Sequence, residues 1–425
     1  MSAVETVAPP ATTAMRPPAS PGSMNVDWEE RVNVERLRTY RFGRARDALN
    51  ASELGSLLLF DFNNIRYVTS THIGEWARDK MTRFALVTRG GEPHLWDFGS
   101  AAKHHRLYAP WLAPENVRGG MIGLRGAVAP EAGLFRNAAR EIADILRTEG
   151  VADMPLGVDI VEPPMLAALE AEGITVRDAQ QTMLDAREVK SADEIMLLNT
   201  ACAMVDGAYQ LIAERLKPGV RESQLVAEVT KALFEMGSEH VDNINAVSGE
   251  RCSPHPHVFS DRLIRPGDQA FFDIIQTYVG YKTCYYRTFT VGSATDAQRD
   301  AYKRAREWID ASIELMRPGV TTDQVASVWP RAEEFGFESE MECFGLQFGH
   351  SVGLFLHERP IISRLNSLDH PVEIKEGMVI ALETYCPAKD GISAARIEEE
   401  VVVTSDGPQV ITRFPSAELF VANPY

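Results

Sequence analysis

Side chains of metal-ligating type recur in order along the second half of the chain: Asp273, Cys284, His350, Glu383 and Glu398. The clearest pair lies in IALETYCPAKDGISAARIEEEVVV (380–403), where Asp390–Gly391 is a strong two-residue hairpin signal because both residues tolerate positive φ. With that turn, Glu383 and Glu398 are equidistant from the reversal and oppose each other on one face. Opposed carboxylates repel by ~0.2–1 kcal/mol at a surface, and by more when buried, unless a cation or a shared proton neutralises them. A metal ion is the economical solution. The competing reading makes Glu398, Glu399 and Glu400 a solvated strand edge. IALETY before and VVVT after bury at least one face, however, and Glu398 alternates with Ile397.

Histidines add to this set. FGLQFGHSVGLFLHERP (344–360) carries His350 in a glycine-containing apolar stretch, with His357 downstream, and glycine permits close approach of backbone to a ligand. With Glu383 and Glu398, His350 makes a carboxylate-rich set suited to Mn, Fe, Co or Zn. SPHPHVFS (253–260) places His255 and His257 in a proline-broken loop, where an imidazole is a candidate proton carrier. FFDIIQTYVGYKTCYYRTFTVG (271–292) reads as a hairpin; a reversal around Tyr278, Val279 and Gly280 opposes Asp273 to Cys284.

The elements that position these groups are also legible. Residues 1–26, rich in Pro, Ala, Ser and Thr, read as a disordered tail. Residues 27–185 alternate helices and strands as an α/β domain: a basic amphipathic helix at 32–50, a buried strand at 55–62, a hairpin over 84–98 turning at Gly90–Gly91, and a helix, strand and helix at 135–150, 155–160 and 165–173. Residues 186–425 form the catalytic domain. AREVKSADEIMLLNTA opens it, with Ser191 as N-cap and Glu194 completing a capping box. Within that domain LKPGVRESQLVAEV (216–229) and MRPGVTTDQVASVW (316–329) repeat a helix, turn and helix context at a constant offset, so two similar α+β halves are expected to face each other across a cleft.

Composition narrows the chemistry. A formal charge of −17 and a pI near 5.1 leave no basic surface for nucleic acid or an anionic membrane. The scattered cysteines at 202, 252, 284, 343 and 386 fit neither a zinc ribbon nor a disulfide scaffold. No apolar signal core or membrane-length segment is read, so the cytoplasm is the expected compartment. Walker and GxGxxG patterns are missing from the sequence.

The ordered motifs FFD…GYKTCYYRTFTVG, FGHSVGLFLHERP, KEGMVIALETY and ARIEEEVVVT, with REVKSADEI at the junction, resemble the pita-bread superfamily of Xaa-Pro aminopeptidases, prolidases, methionine aminopeptidases and creatinase. That resemblance implies an α+β pita-bread fold behind a creatinase-type N-terminal domain. It also implies one or two divalent ions: Asp273 on the first, His350 and Glu383 on the second, Glu398 bridging. His255 or His257 would match the substrate-side histidine, and His357 the histidine that contacts substrate. A homodimer is implied, with Trp76 or Arg78 bordering the partner's pocket. Cys284 stands where the peptidases place a bridging aspartate; a thiolate there ligates Fe, Co or Zn, or the site keeps one ion or none, as in creatinase. LLLFDFNNIRYVTSTHIGEWARDKMTRFALVTRGGEPHLWDF (57–98) is similar to the dimethylsulfoniopropionate lyase branch of this fold. The expected function is cleavage of a small polar non-peptide substrate by lyase or hydrolase chemistry. The alternatives are a metal-dependent Xaa-Pro aminopeptidase or prolidase, and a non-catalytic binding protein on a degenerate scaffold.

Overall fold

A computed structural model of the protein describes residues 32–78, 81–345 and 349–425, so the tail expected over 1–26 lies outside the described residues. The first helix, Val34–Ala51, buries Leu37, Arg41, Ala45 and Leu49, a four-residue period that sets one face inward. It packs beside a six-stranded sheet of β1 (Ser56–Leu59), β2 (Phe84–Thr88), β3 (His94–Asp97), β4 (Val117–Gly119), β5 (Leu156–Val158) and β6 (Val176–Asp178), ordered β4-β3-β2-β1-β5-β6. The strand expected over 55–62 stops at Leu59. Asp61 accepts from the backbone of Asn63 at 2.7 Å and of Asn64 at 3.3 Å, and so caps a helix, Phe62–Thr69, instead.

The junction forms as its residues dictate. Ser191 N donates to Glu194 Oε2 at 2.8 Å and Glu194 N to Ser191 Oγ at 3.3 Å, starting the helix Ala192–Arg215. That helix is long and apolar enough to cross a membrane by length and composition, which corrects the expectation that no segment reaches that length. Half of its most apolar window is buried inside the protein, with Tyr209 and Ile212 in a core shared with the sheet it covers.

The second domain contains two sheets. The first joins β7 (His240–Ser248), β8 (Gln269–Tyr278), β9 (Tyr281–Lys282) and β10 (Tyr286–Val291). The second runs through β11 (Gly349–Ser351), β12 (Glu358–Ile362) and β13 (Val379–Glu383), beyond which β14 (Cys386–Pro387) and β15 (Ala394–Ala395) form a short ribbon. It continues with β16 (Glu398–Thr404) and β17 (Gly407–Val410), while β18 (Phe420–Ala422) returns to pair with β10.

The repeat is structural as well as sequential. Gly219 and Gly319 both take positive φ, and their N–H groups donate to Ile264 O at 2.8 Å and Ile374 O at 2.9 Å. Gly267 and Gly377 likewise take positive φ and donate to Val291 O at 2.8 Å and Val403 O at 2.9 Å. These matched turns start β8 and β13, which makes Asp273 and Glu383 counterparts. The halves differ in their second helices: Glu222–Met236 is long, whereas Thr322–Ala326 stops four residues before Pro330, whose ring clashes with the i−4 carbonyl.

Each half buries its own apolar face. Phe272 and Ile274 of β8 pack on the helices Ala192–Arg215 and Glu222–Met236, while Ile380, Leu382 and Val401 pack on Asp296–Glu314. Alternation along β8 therefore turns Asp273 to the opposite face. The sheets meet where Thr288 Oγ1 donates to Arg396 O at 2.6 Å and accepts from Arg396 N at 2.9 Å. The junction between the domains is tied to the second half by buried Glu358, which lies 3.0 Å from both Arg187 Nε and Lys190 Nζ. Lys190 also donates to Ser351 Oγ at 2.7 Å, one residue from His350.

Candidate metal and catalytic site

The inner faces of the two halves converge on buried polar groups. In the first half the hairpin turns on Val279 and Gly280, at φ 49° and 87°, pairing Tyr278 with Tyr281 and Thr277 with Lys282. Continued, that register sets Asp273 opposite Tyr286. The expected opposition of Asp273 to Cys284 is thus corrected, because Tyr278 belongs to the strand and not to the turn. Residues 283–285 leave the ladder, and Cys284 N donates across to Glu400 Oε1 of the second sheet at 2.8 Å. The Cys284 thiol still lies 4.0 Å from Asp273 Oδ1. Asp273 Oδ2 accepts from Asn245 Nδ2 at 3.0 Å, and Asn245 also donates to the Tyr286 hydroxyl at 3.1 Å.

In the second half the Asp390–Gly391 reversal pairs Cys386 with Ala395 and, in the same register, Glu383 with Glu398. All of Glu398, Glu399 and Glu400 are buried, so the run is not a solvated edge. Two have dedicated partners. Glu399 bridges Arg287 at 2.9 Å and Arg306 at 3.1 Å, while Glu400 accepts from Cys284 N and from Cys202 Sγ at 3.2 Å. Glu398 is fully buried, yet among the described residues neither of its oxygens meets a nitrogen or hydroxyl donor, and the Cys284 thiol is what faces it.

His350 is also fully buried. Its Nδ1 faces Ser351 O at 3.1 Å, and because a carbonyl only accepts, Nδ1 carries the proton and Nε2 presents a lone pair. Nε2 lies 3.9 Å from Glu398 Oε1, and the donor atoms of Cys284, His350 and Glu398 fall within 4.8 Å of one another. That combination of thiol, imidazole and carboxylate is a fitting donor set for a transition metal, and the carboxylate without a nitrogen or hydroxyl donor is the feature such an ion would satisfy.

The Glu383 carboxylate instead meets Arg396, a guanidinium with no solvent exposure. Arg396 also donates to Thr384 O at 3.2 Å and to His255 Nε2 at 2.7 Å, and lies 3.9 Å over the Tyr286 ring. Its residue type in ARIE was not used in reading the sequence. The available signal was a lone cation two residues before Glu398, on the same face of an extended chain. Tyr286, Asn245 and Glu400 were missed as well, since cross-strand register and cross-sheet contact place them.

Electrostatics follow from burial. Desolvation pushes Asp273 up to about 6, with Arg396, Asn245 and Tyr286 acting against it. Glu383 rises to about 7, mainly through burial, with Arg396 opposing and Asp273 adding. Burial, then Glu383 and Asp273, hold Glu398 well above the carboxylate range. Burial and the carboxylates of Glu398, Asp273 and Glu383 raise the Cys284 thiol, so it is a thiol unless a cation stabilises its anion. Burial, then His357, lowers His350 to about 3 and keeps it neutral.

The other expected residues divide between site and periphery. Buried His255 reaches Arg396, and His257 stacks outside it with ring centroids 3.9 Å apart. Burial and Arg396 depress both histidines, His257 to about 4. The His357 ring lies 4.4 Å from that of His350 and is lowered by burial. Trp76 and Arg78 stand on the N-terminal domain: Trp76 is 61% exposed against Phe98, and Arg78 pairs with Glu75 over the Phe62 ring.

Comparison with known proteins agrees with this architecture. Residues 196–405 match metallopeptidase family M24. The dimethylsulfoniopropionate lyase DddP of Roseovarius nubinhibens is 27% identical over 407 residues, 90% of this chain and 87% of that protein. The Xaa-Pro dipeptidase of Pyrococcus furiosus is 32% identical over 234 residues, 54% of this chain and 64% of that protein. The crystal structure of the dipeptidase PepE from Mycobacterium ulcerans superposes with a TM-score of 0.72 at 24% identity, covering 92% of this chain and all of that one.

Proposed function

From its membership of the pita-bread M24 superfamily, we propose that this chain is an enzyme that cleaves a small polar non-peptide substrate, by lyase or hydrolase chemistry, at an altered metal centre. One observation carries the reading: Glu383 is engaged by the guanidinium of Arg396, and Cys284 stands where the family resemblance implies a bridging aspartate. The set of four carboxylates and one histidine that the resemblance implies for two ions is not what this chain supplies. The groups of the centre are also deeply buried, Asp273, Glu383, Glu398, His350 and Arg396 all being 5% exposed or less, which favours a small substrate over a peptide.

A divalent ion on these side chains would supply Lewis-acid polarisation of a substrate carboxylate or carbonyl, or an acidified water. The residues of the chain do the rest. His357, neutral and beside His350, accepts and returns the proton of the cleavage step. His255 is the poorer base because its Nε2 already accepts from Arg396 and a second positive charge is disfavoured there. It orients Arg396 while exposed His257 lies against its ring. A homodimer, with Trp76 or Arg78 at the edge of the partner's pocket, belongs to the same proposal.

Betaines, sulfonium carboxylates, amides and Xaa-Pro dipeptides, assayed with Zn, Fe, Co or Mn and again after chelation, test it. Turnover of a small betaine, sulfonium compound or amide is expected. Efficient hydrolysis of Xaa-Pro dipeptides alone would instead support the prolidase reading, which the match to the Pyrococcus furiosus dipeptidase favours.

A further inference from the structure

Three carboxylates meet at the centre, and their surroundings differ in kind. Asp273 accepts from Asn245, and Glu383 is paired with Arg396. Glu398, fully buried, meets no nitrogen or hydroxyl donor on either oxygen among the described residues, only the Cys284 thiol. A buried carboxylate left this way costs several kcal/mol unless it is protonated or meets a cation, so its position needs explaining. The other groups beside it are the lone pair of His350 Nε2 at 3.9 Å and the Cys284 thiol.

We propose that the protein binds a single transition-metal ion on Cys284 Sγ, His350 Nε2 and Glu398, and that Arg396 supplies to Asp273 and Glu383 the positive charge a second ion would otherwise bring. The proposal deepens the functional reading above and rests on it only for what the ion does, not for whether it binds.

Spacing supports it. In tetrahedral geometry two atoms bound at ~2.1 Å to one ion are ~3.4 Å apart, and a sulfur with its ~2.3 Å bond lies ~3.6 Å from either. His350 Nε2 and Glu398 Oε1 are 3.9 Å apart and the whole trio lies within 4.8 Å, so movements of about 1 Å or less would close the set. The outer contacts suit ligation too: Ser351 O holds His350 in the tautomer that exposes Nε2. The backbone N–H of Cys284 is anchored on Glu400 and fixes the loop that carries the thiol. On binding, the thiol loses its proton to solvent and a sulfur–metal bond forms, with no change of oxidation state. A thiolate, an imidazole and a carboxylate, with a position left for water or substrate, match the pattern of catalytic zinc. Replacing a carboxylate by a thiolate shifts preference from Mn and Mg towards Zn, Co and Fe.

Titration of metal-free full-length protein with Co(II) and Zn(II) against a competing chelator tests this, together with absorption spectra of the Co(II) form. One ion per chain is expected, with a near-ultraviolet thiolate-to-cobalt charge-transfer band. Cys284→Ser should lose that band and bind Zn roughly tenfold or more weakly, with an unchanged circular dichroism spectrum. Cys284→Asp should regain affinity for Mn. Two ions per chain, no binding, or a cobalt spectrum without the charge-transfer band in the unaltered protein would each overturn the proposal. These readouts do not involve turnover, so a failed substrate screen leaves them standing, and a metal-free protein that still turns over a small polar substrate would overturn this site and the metal centre of the functional reading while leaving its substrate class intact.

Discussion

The two halves of the catalytic domain start from the same turn and end in different chemistry. Matched positive-φ glycines, Gly267 and Gly377, launch β8 and β13, which carry Asp273 and Glu383 at equivalent depth. The partner strand then places Tyr286 opposite Asp273 but Glu398 opposite Glu383. The first half thus has one carboxylate, an aromatic ring under a guanidinium, and a thiol displaced from the ladder. The second has a carboxylate pair and a histidine. Duplication supplied the frame, and the residues on its inner faces set which groups can hold a cation, Cys284 of the first half with His350 and Glu398 of the second, and which carboxylates are neutralised from within the protein.

The strongest way to break this comparison is Arg396→Met. Removing the guanidinium strands buried Glu383, and a loss of ~3–5 kcal/mol in denaturant unfolding is expected; a loss below ~1 kcal/mol would mean that Arg396 is not the charge partner. Adding Glu383→Gln should recover much of the loss, as a coupled pair requires. Next comes Glu358→Gln, which leaves Arg187 and Lys190 facing each other in the interior; ~3 kcal/mol is expected, seen as a lower unfolding midpoint. The corresponding tie of the first half to the N-terminal domain, Arg66 with Glu239 at 2.8 Å, is partly exposed, so Glu239→Gln should cost under ~1 kcal/mol.

Glu398→Gln sharpens the contrast by sign. It removes a buried carboxylate that meets only the Cys284 thiol among the described residues, so the metal-free protein should melt at the same temperature or higher, while metal retention through gel filtration is lost. A lower melting temperature without metal would show that Glu398 has a protein partner beyond that thiol. Equal, modest effects are expected where the halves agree. Ser191 and Thr295 cap the matched helices Ala192–Arg215 and Asp296–Glu314, and Ser191→Ala and Thr295→Ala should each cost ~1 kcal/mol in thermal unfolding.

The same contrast separates what the sequence revealed from what it hid. The Glu383–Glu398 pair was legible because Asp390–Gly391 marks its own turn and register follows by counting. Asp273 and its opposite residue were not, because Val279 occupies the left-handed region at φ 49°, a conformation its branched side chain disfavours. Counting Tyr278 into the turn displaced the register and hid Tyr286. The capping boxes, the repeat and the fold class were local or periodic signals and could be read directly. Arg396, Asn245 and Glu400 act through contacts between strands and sheets, and no local pattern encodes those. The helix Phe62–Thr69 was hidden because Asp61, read as a strand residue, is its cap.

Anomalous diffraction from crystals of the zinc-loaded protein, recorded above and below the zinc edge, bears most directly on the central claim that Cys284, His350 and Glu398 hold one cation while Arg396 serves Glu383 and Asp273. A single peak per chain, bonded to Cys284, His350 and Glu398 with Arg396 still on Glu383, is the predicted result. Two peaks, or one peak seated between Asp273 and Glu383 with Cys284 outside bonding distance, would contradict it.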